Sequence, residues 1–173
     1  MPAYGVCGAG ASSVKVRLPE SSAAQTLGTR MHMVFARMHS AADVDYALAF
    51  GVSKGFLTED ESAKWGEKLR HDLGSGLPGE WFAADNLAVY NERNIAFDNH
   101  GERECGRPDR VVRRPDGSVV IVDYKFGQDM GAKETAAYAD QVKGYMNMWR
   151  MAGETDVKGY VWYVSLGKIQ EVK

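Results

Sequence analysis

The sequence predicts an α/β fold with a mixed β-sheet flanked by helices and a helical insertion after the first helix. Three observations predict it. The N-terminal half carries apolar residues at helical spacing. The middle carries β-branched runs broken by turn residues. A further helical stretch then separates these runs from two more strand-like segments at the C-terminal end. A strand meander followed by a crossover helix and more strands gives antiparallel and parallel neighbours in one sheet.

The elements follow in order. Leu27, Met31, Val34, Phe35 and Met38 form an apolar stripe that predicts a helix over 23–39. Helices over 42–51 and 59–73 come next; Thr58-Glu59-Asp60-Glu61 is a capping box for the latter and Gly74 suits its end. A short turn or helix lies near 78–84, then strands over 87–97 and 103–113, joined by a turn at Asp98-Asn99-His100-Gly101. Pro115-Asp116-Gly117 sits between two β-branched runs. Pro presets φ and Gly takes a positive φ there, so 103–113 and 118–125 form a hairpin. A helix over 134–151 and strands over 157–164 and 168–172 complete the chain.

Chemistry concentrates around the hairpin. Side chains alternate faces along a strand, so Asp123 and Lys125 share a face with Val119 and Ile121 behind them. Tyr124 points the other way, with its carbonyl near the same place, and the hairpin brings Asp109 beside Asp123. Two carboxylates and a carbonyl are hard oxygen donors of the kind Mg²⁺ takes while keeping open positions. A lysine beside them supplies a point charge for an attacking water or a phosphate. Asp and Lys on a hairpin are commonly just surface charges. Here they end a nearly unbroken apolar run, the pattern of a strand covered on both faces.

Two helices add candidates. Tyr138, Gln141 and Tyr145 fall on one helix face, and a buried glutamine between tyrosines needs a polar partner: a phosphate, a metal-bound water or the lysine. The plainer reading makes the two tyrosines core aromatics. His32 flanks the apolar stripe of the first helix one turn after Gly28; with the carboxylates it becomes a nitrogen ligand, and without them a packed histidine.

The motifs Gly28-Thr29-Arg30-Met31-His32, Gly106-Arg107-Pro108-Asp109-Arg110, Val122-Asp123-Tyr124-Lys125 and Gln141-Val142-Lys143-Gly144-Tyr145 occur in an order that resembles the RecB-like branch of the PD-(D/E)XK nuclease superfamily. The resemblance implies a restriction-endonuclease-like fold over 23–173, with 1–22 a linker or cloning remnant. It implies Mg²⁺ or Mn²⁺ held by His32, Asp109, Asp123 and the Tyr124 carbonyl, attack assisted by Lys125, and Gln141 and Tyr145 completing the site or contacting DNA. Glu92 stands where relatives often place another acidic residue; the ordinary alternative is an exposed strand glutamate.

Within that branch the sequence is most similar to the C-terminal nuclease domain of AddA/RecB-type helicase-nucleases. That likeness implies a DNA exonuclease acting on single strands or broken ends in repair and recombination, with a helicase domain in cis and a second helicase-nuclease subunit as partners. The chain itself holds no phosphate-binding loop: Gly8-Ala9-Gly10-Ala11 lacks the spacing and the lysine. The likeness therefore implies an excised domain or a stand-alone phage or defence nuclease; a catalytically silent DNA-binding module is the third possibility. Some relatives carry a four-cysteine iron–sulfur cluster, which two cysteines cannot build.

Composition bounds these expectations. With 173 residues the chain makes one domain with a real core. No run of eighteen apolar residues predicts a membrane span. Two cysteines and no secretory segment predict a cytoplasmic protein without a disulfide framework. Lys plus Arg is 21 against 23 Asp plus Glu, so no global basic footprint marks a DNA-binding surface. Arg103, Arg107, Arg110, Arg113 and Arg114 offer a local DNA track or, equally, a solvated charged face.

Overall fold

The computed structural model describes residues 22–99, 102–127 and 131–173. Helices α1 (Ser22–Phe35), α2 (Val44–Ser53), α3 (Glu59–Asp72) and α4 (Gly76–Trp81) precede the strands. Strands β1 (Ala88–Asn91), β2 (Ile95–Asn99), β3 (Glu102–Gly106), β4 (Arg110–Arg113) and β5 (Val119–Lys125) follow, then α5 (Ala132–Met151), β6 (Val157–Tyr163) and β7 (Lys168–Val172). The main sheet has the order β1-β4-β5-β6-β7; only β5 and β6 are parallel, so the mixed α/β architecture is as predicted.

β5 is the central strand and is covered on both faces. Val120, Val122 and Tyr124 pack into a core with α1, Trp81, Phe82 and Trp162, whereas Val119 and Ile121 pack under Tyr138, Val142 and Tyr145 of α5. The alternation that separates Asp123 from Tyr124 follows from this two-sided burial. The Thr58 capping box forms as expected, with Glu61 N–H donating to Thr58 Oγ1 at 3.1 Å and Thr58 N–H to Glu61 Oε2 at 2.9 Å. The Gly117 turn forms too, at φ 87°. The expected turn over 98–101 falls partly on His100 and Gly101, outside the described residues.

Two expected strands differ. The spans 87–97 and 103–113 each break in the middle, at 92–94 and 107–109. Glu92 takes a left-handed φ of 49°, and Pro108 has no N–H for a ladder. Both breaks fall at the same level, because Asn91 pairs with Arg110 and Ile95 with Gly106 at one unchanged offset. Glu92 therefore stands opposite Asp109, to whose carbonyl its N–H donates at 2.9 Å. The pair β2–β3 continues beyond the break as a separate ribbon.

α1 ends at Phe35, short of the predicted 39, and the carbonyls just beyond it are taken by side chains from the sheet. Asn91 Nδ2 donates to the Ala36 and Met38 carbonyls at 3.3 and 2.8 Å. Arg110 Nη1 donates to the Met38 carbonyl at 2.8 Å and Nη2 to that of His39 at 2.7 Å. A cation at the C-terminal end of a helix also complements its dipole. This clamp fixes how α1, and with it His32, meets the sheet.

Arg110 is thus a correction to the expected arginine track: its side chain is fully buried and stacks over the Phe82 ring at 3.7 Å. Arg113 pairs with Glu154, Arg114 with Glu80 and Arg107 with Glu92. The sequence leaves a DNA track and a solvated charged face equally open, because the acceptors of these arginines lie far away in sequence. Cys105 is a second correction, being disulfide-bonded, with its partner outside the described residues. No helix among the described residues is long and apolar enough to cross a membrane.

Candidate metal centre

Three elements meet at the broken strands. α1 brings His32, the end of β1 brings Glu92, and the start of β4 brings Asp109. His32 Nδ1 lies 3.3 Å from Glu92 Oε1 and 3.4 Å from Asp109 Oδ1. One ligand atom from each of the three lies within 4.8 Å of the others. The imidazole is held from behind by Phe126, edge-on at 5.3 Å between centroids. Asp109 is locked by the backbone of β5, since Tyr124 N–H donates to its Oδ2 at 2.8 Å, leaving Oδ1 to face His32.

Beside this trio stand Asp123 and Lys125. Lys125 Nζ is 2.6 Å from Asp123 Oδ2 and sits 4.2 Å above the Tyr138 ring centroid. Charge pairing and the aromatic face both favour the ammonium form. The contact lacks hydrogen-bond alignment, so Asp123 Oδ2 is a buried carboxylate oxygen without a hydrogen-bond partner among the described residues.

The electrostatics show one crowded charge cluster. Burial pushes His32 down, but the carboxylates of Asp109 and Glu92 outweigh it and lift it to about 10. Burial raises Asp109, yet His32 and Lys125 hold it well below the usual carboxylate range. Asp123 goes the other way, to about 6: burial raises it, and the Asp109 charge adds to that against the pull of Lys125. Lys125 is pushed upward in spite of its burial, by Asp123 and Asp109. Carboxylates packed this closely use protons and a lysine to balance charge, a task a divalent cation would perform as well.

The donor set fits such an ion. Two carboxylates and one imidazole are within reach of a common centre, and Asp123, whose buried Oδ2 is ion-paired with Lys125, stands beside them. The carboxylate oxygens suit Mg²⁺ and Mn²⁺ alike.

The predicted residues are therefore largely brought together: His32, Asp109, Asp123 and Lys125 share one site. The Tyr124 backbone contacts it through its N–H, which donates to Asp109. Gln141 and Tyr145 form a pair of their own. Gln141 Nε2 donates to Tyr145 Oη at 2.9 Å, and Oη donates to the Arg107 carbonyl at 3.4 Å. The glutamine's polar partner is thus the tyrosine one turn on, a relation readable from the helical spacing. Gly106 admits that tyrosine: a Cβ there would lie 2.7 Å from Tyr145 Cε1. Glu92 was undervalued by its local sequence, although counting back from the paired Asn99 and Glu102 places it opposite Asp109. Tyr138, for which a core aromatic was the plainer alternative, bears on the site through Lys125.

A mixed sheet whose central strand ends in Asp-Tyr-Lys, beside a buried aspartate and a helix histidine, defines a nuclease-type core with a metal-binding constellation. The chain belongs to the PD-(D/E)XK nuclease superfamily, whose family model matches residues 9–173. No curated protein matches it. Among solved structures, the one titled "Crystal structure of SSO0001" is similar over 81% of this chain and 64% of its own, at 20% identity and a TM-score of 0.37. The chain thus spans less than two thirds of that structure's length.

Proposed function

We propose that this chain is the DNA-cleaving exonuclease domain, over 23–173, of a helicase-nuclease that trims single strands at broken ends for repair and recombination. A helicase domain in cis and a second helicase-nuclease subunit would be its partners, with 1–22 as the connection. Membership of the nuclease superfamily supports the reaction class. The observation that carries the reading is the convergence of His32, Glu92 and Asp109 beside the Asp123–Lys125 pair. Support for the helicase is indirect: the arginines are mostly spent on internal partners, so grip on DNA would come largely from elsewhere.

His32, Glu92 and Asp109 would hold the ion, with Asp123 and the Tyr124 carbonyl as further ligands. Bound there, Mg²⁺ or Mn²⁺ would lower the pKa of a coordinated water and neutralise charge growing on the phosphate. Lys125 stays protonated between Asp123 and Tyr138, so it acts as a donor and point charge toward the phosphate rather than as a base. Asp109, fixed by Tyr124 N–H, keeps one oxygen aimed at the centre. Tyr145 and Gln141 brace the Arg107–Asp109 segment from α5.

The test is degradation of linear against closed circular DNA, single- and double-stranded, with Mg²⁺ or Mn²⁺. Linear DNA should be lost, and Asp123→Ala or Lys125→Ala should abolish this in a folded protein. A purified chain that takes up no divalent ion by calorimetry would end the reading.

A further inference from the structure

The proposed reaction requires a cation that holds the DNA backbone, and most of the arginines near the site are committed elsewhere. Arg110 is buried under carbonyls, and Arg113 and Arg114 are paired with Glu154 and Glu80. Lys125 is engaged by Asp123. The Arg103 side chain lies outside the described residues.

Arg107 differs. Its side chain is 46% exposed, and it immediately precedes Pro108-Asp109 at the strand break. Its Nε lies 3.2 Å from Glu92 Oε2, an ion pair without a hydrogen bond, so its planar set of N–H donors is unspent among the described residues. Its carbonyl is held by Tyr145, which fixes the backbone from which the guanidinium projects. The other oxygen of Glu92 faces His32 Nδ1 at 3.3 Å. One carboxylate therefore serves both the metal trio and the guanidinium.

We propose that Arg107 binds a phosphodiester of the DNA strand at this site, and that its ion pair with Glu92 is a latch that a divalent cation opens by taking the carboxylate. This rests on the nuclease reading for the identity of the strand. A guanidinium matches two phosphate oxygens at once, which an ammonium does not. While Glu92 is bare, its charge competes with phosphate for Arg107 and also repels the strand. Once a cation shares Glu92, the guanidinium is free to engage. Ion and DNA would then bind cooperatively through one side chain.

The test is fluorescence anisotropy of a single-stranded oligonucleotide at low salt, in chelator and in Ca²⁺, which occupies oxygen sites. In Ca²⁺, R107Q should bind about tenfold more weakly, the size of one lost charge-assisted contact. Its slope of log affinity against log salt should fall by about 0.7, one phosphate's worth on a single strand. R107K should restore the slope but only part of the affinity. In chelator, E92Q should bind DNA several-fold more tightly than wild type, and E92Q/R107Q should lose that gain. An unchanged salt slope in R107Q overturns the phosphate contact. Equal affinity of wild type and E92Q in chelator overturns the latch. Displacement of the strand by inorganic phosphate at matched ionic strength, in wild type alone, would make Arg107 a simple anion site and overturn the DNA assignment. A wild type that binds DNA by these criteria yet never cleaves it would refute the nuclease reading while leaving Arg107 judged by binding alone.

Discussion

Replacing Arg110 by lysine tests whether a buried guanidinium, rather than a buried charge, holds the histidine helix to the sheet. Arg110 reaches four acceptors: the carbonyls of Trp81, Met38 and His39, and Asn91 Oδ1. Two of these keep another donor without it, because Asn86 Nδ2 also reaches Trp81 and Asn91 Nδ2 also reaches Met38. The His39 carbonyl and Asn91 Oδ1 have no other donor among the described residues. A lysine keeps the charge but cannot span both. One lost bond to a charged group is worth about 1.5–3 kcal/mol, and one acceptor left bare about 1–3 kcal/mol. Stacking on Phe82 is lost as well. Arg110→Lys should therefore cost about 3–5 kcal/mol, or roughly 6–20 °C in Tm for a chain of this size. Guanidinium denaturation and a thermal melt measure it, and ion titration of the same variant should show weaker binding, since α1 would lose its clamp. A variant within about 0.5 kcal/mol of wild type, the range of an ordinary surface change, would refute this account of Arg110.

Three further outcomes are expected. His32→Ala should weaken divalent-ion binding at least tenfold; in the wild type near pH 8, binding should release about one proton per ion, because an imidazole held at about 10 must deprotonate to ligate. Calorimetry in buffers of different ionisation enthalpy reads this, and no proton release would remove His32 from the ligand set. In chelator, stability should decline as pH rises from about 5 to about 10, above the region where Asp43, Glu61, Asp109, Asp116 and Glu154, all held low, add stability with rising pH: the Asp123 contribution is complete below 3.8 and lost through about 6, and that of His32 is complete below 6.5 and lost through about 10. Melts across that range would show it, the Asp123→Asn variant should flatten the lower part, and a rising Tm would contradict the charge balance described. Gly106→Ala should destabilise by about 1–3 kcal/mol through overpacking against Tyr145, and a neutral result by denaturation would mean that α5 yields there.

Much of the site was legible because it is local. Alternation along 118–125 put Asp123 and Lys125 on one face, the Pro115-Asp116-Gly117 turn brought Asp109 alongside, and helix period aimed His32 from the stripe that Met31 and Phe35 anchor. What escaped is non-local or backbone-strained. Nothing near Arg110 in sequence announces three carbonyls contributed by residues 29 to 72 positions away. No periodicity foretells a left-handed glutamate at 92, so two continuous strands were expected where the chain leaves the sheet twice. The partner of Gln141 was available in principle, one turn ahead on its own helix.

The equal lengths of the two interruptions have a bearing on how this scaffold can change. Neither strand carries a surplus residue, so the facing of Glu92 and Asp109 is inherited from pairings on both sides of the gap. Adding or deleting a single residue in the 92–94 or 107–109 segment would slide one carboxylate past the other and turn side chains to the wrong face. Only matched changes, one on each strand, would keep the acids opposed. The ribbon beyond can thus grow or shrink by symmetric steps while the chemistry stays where it is.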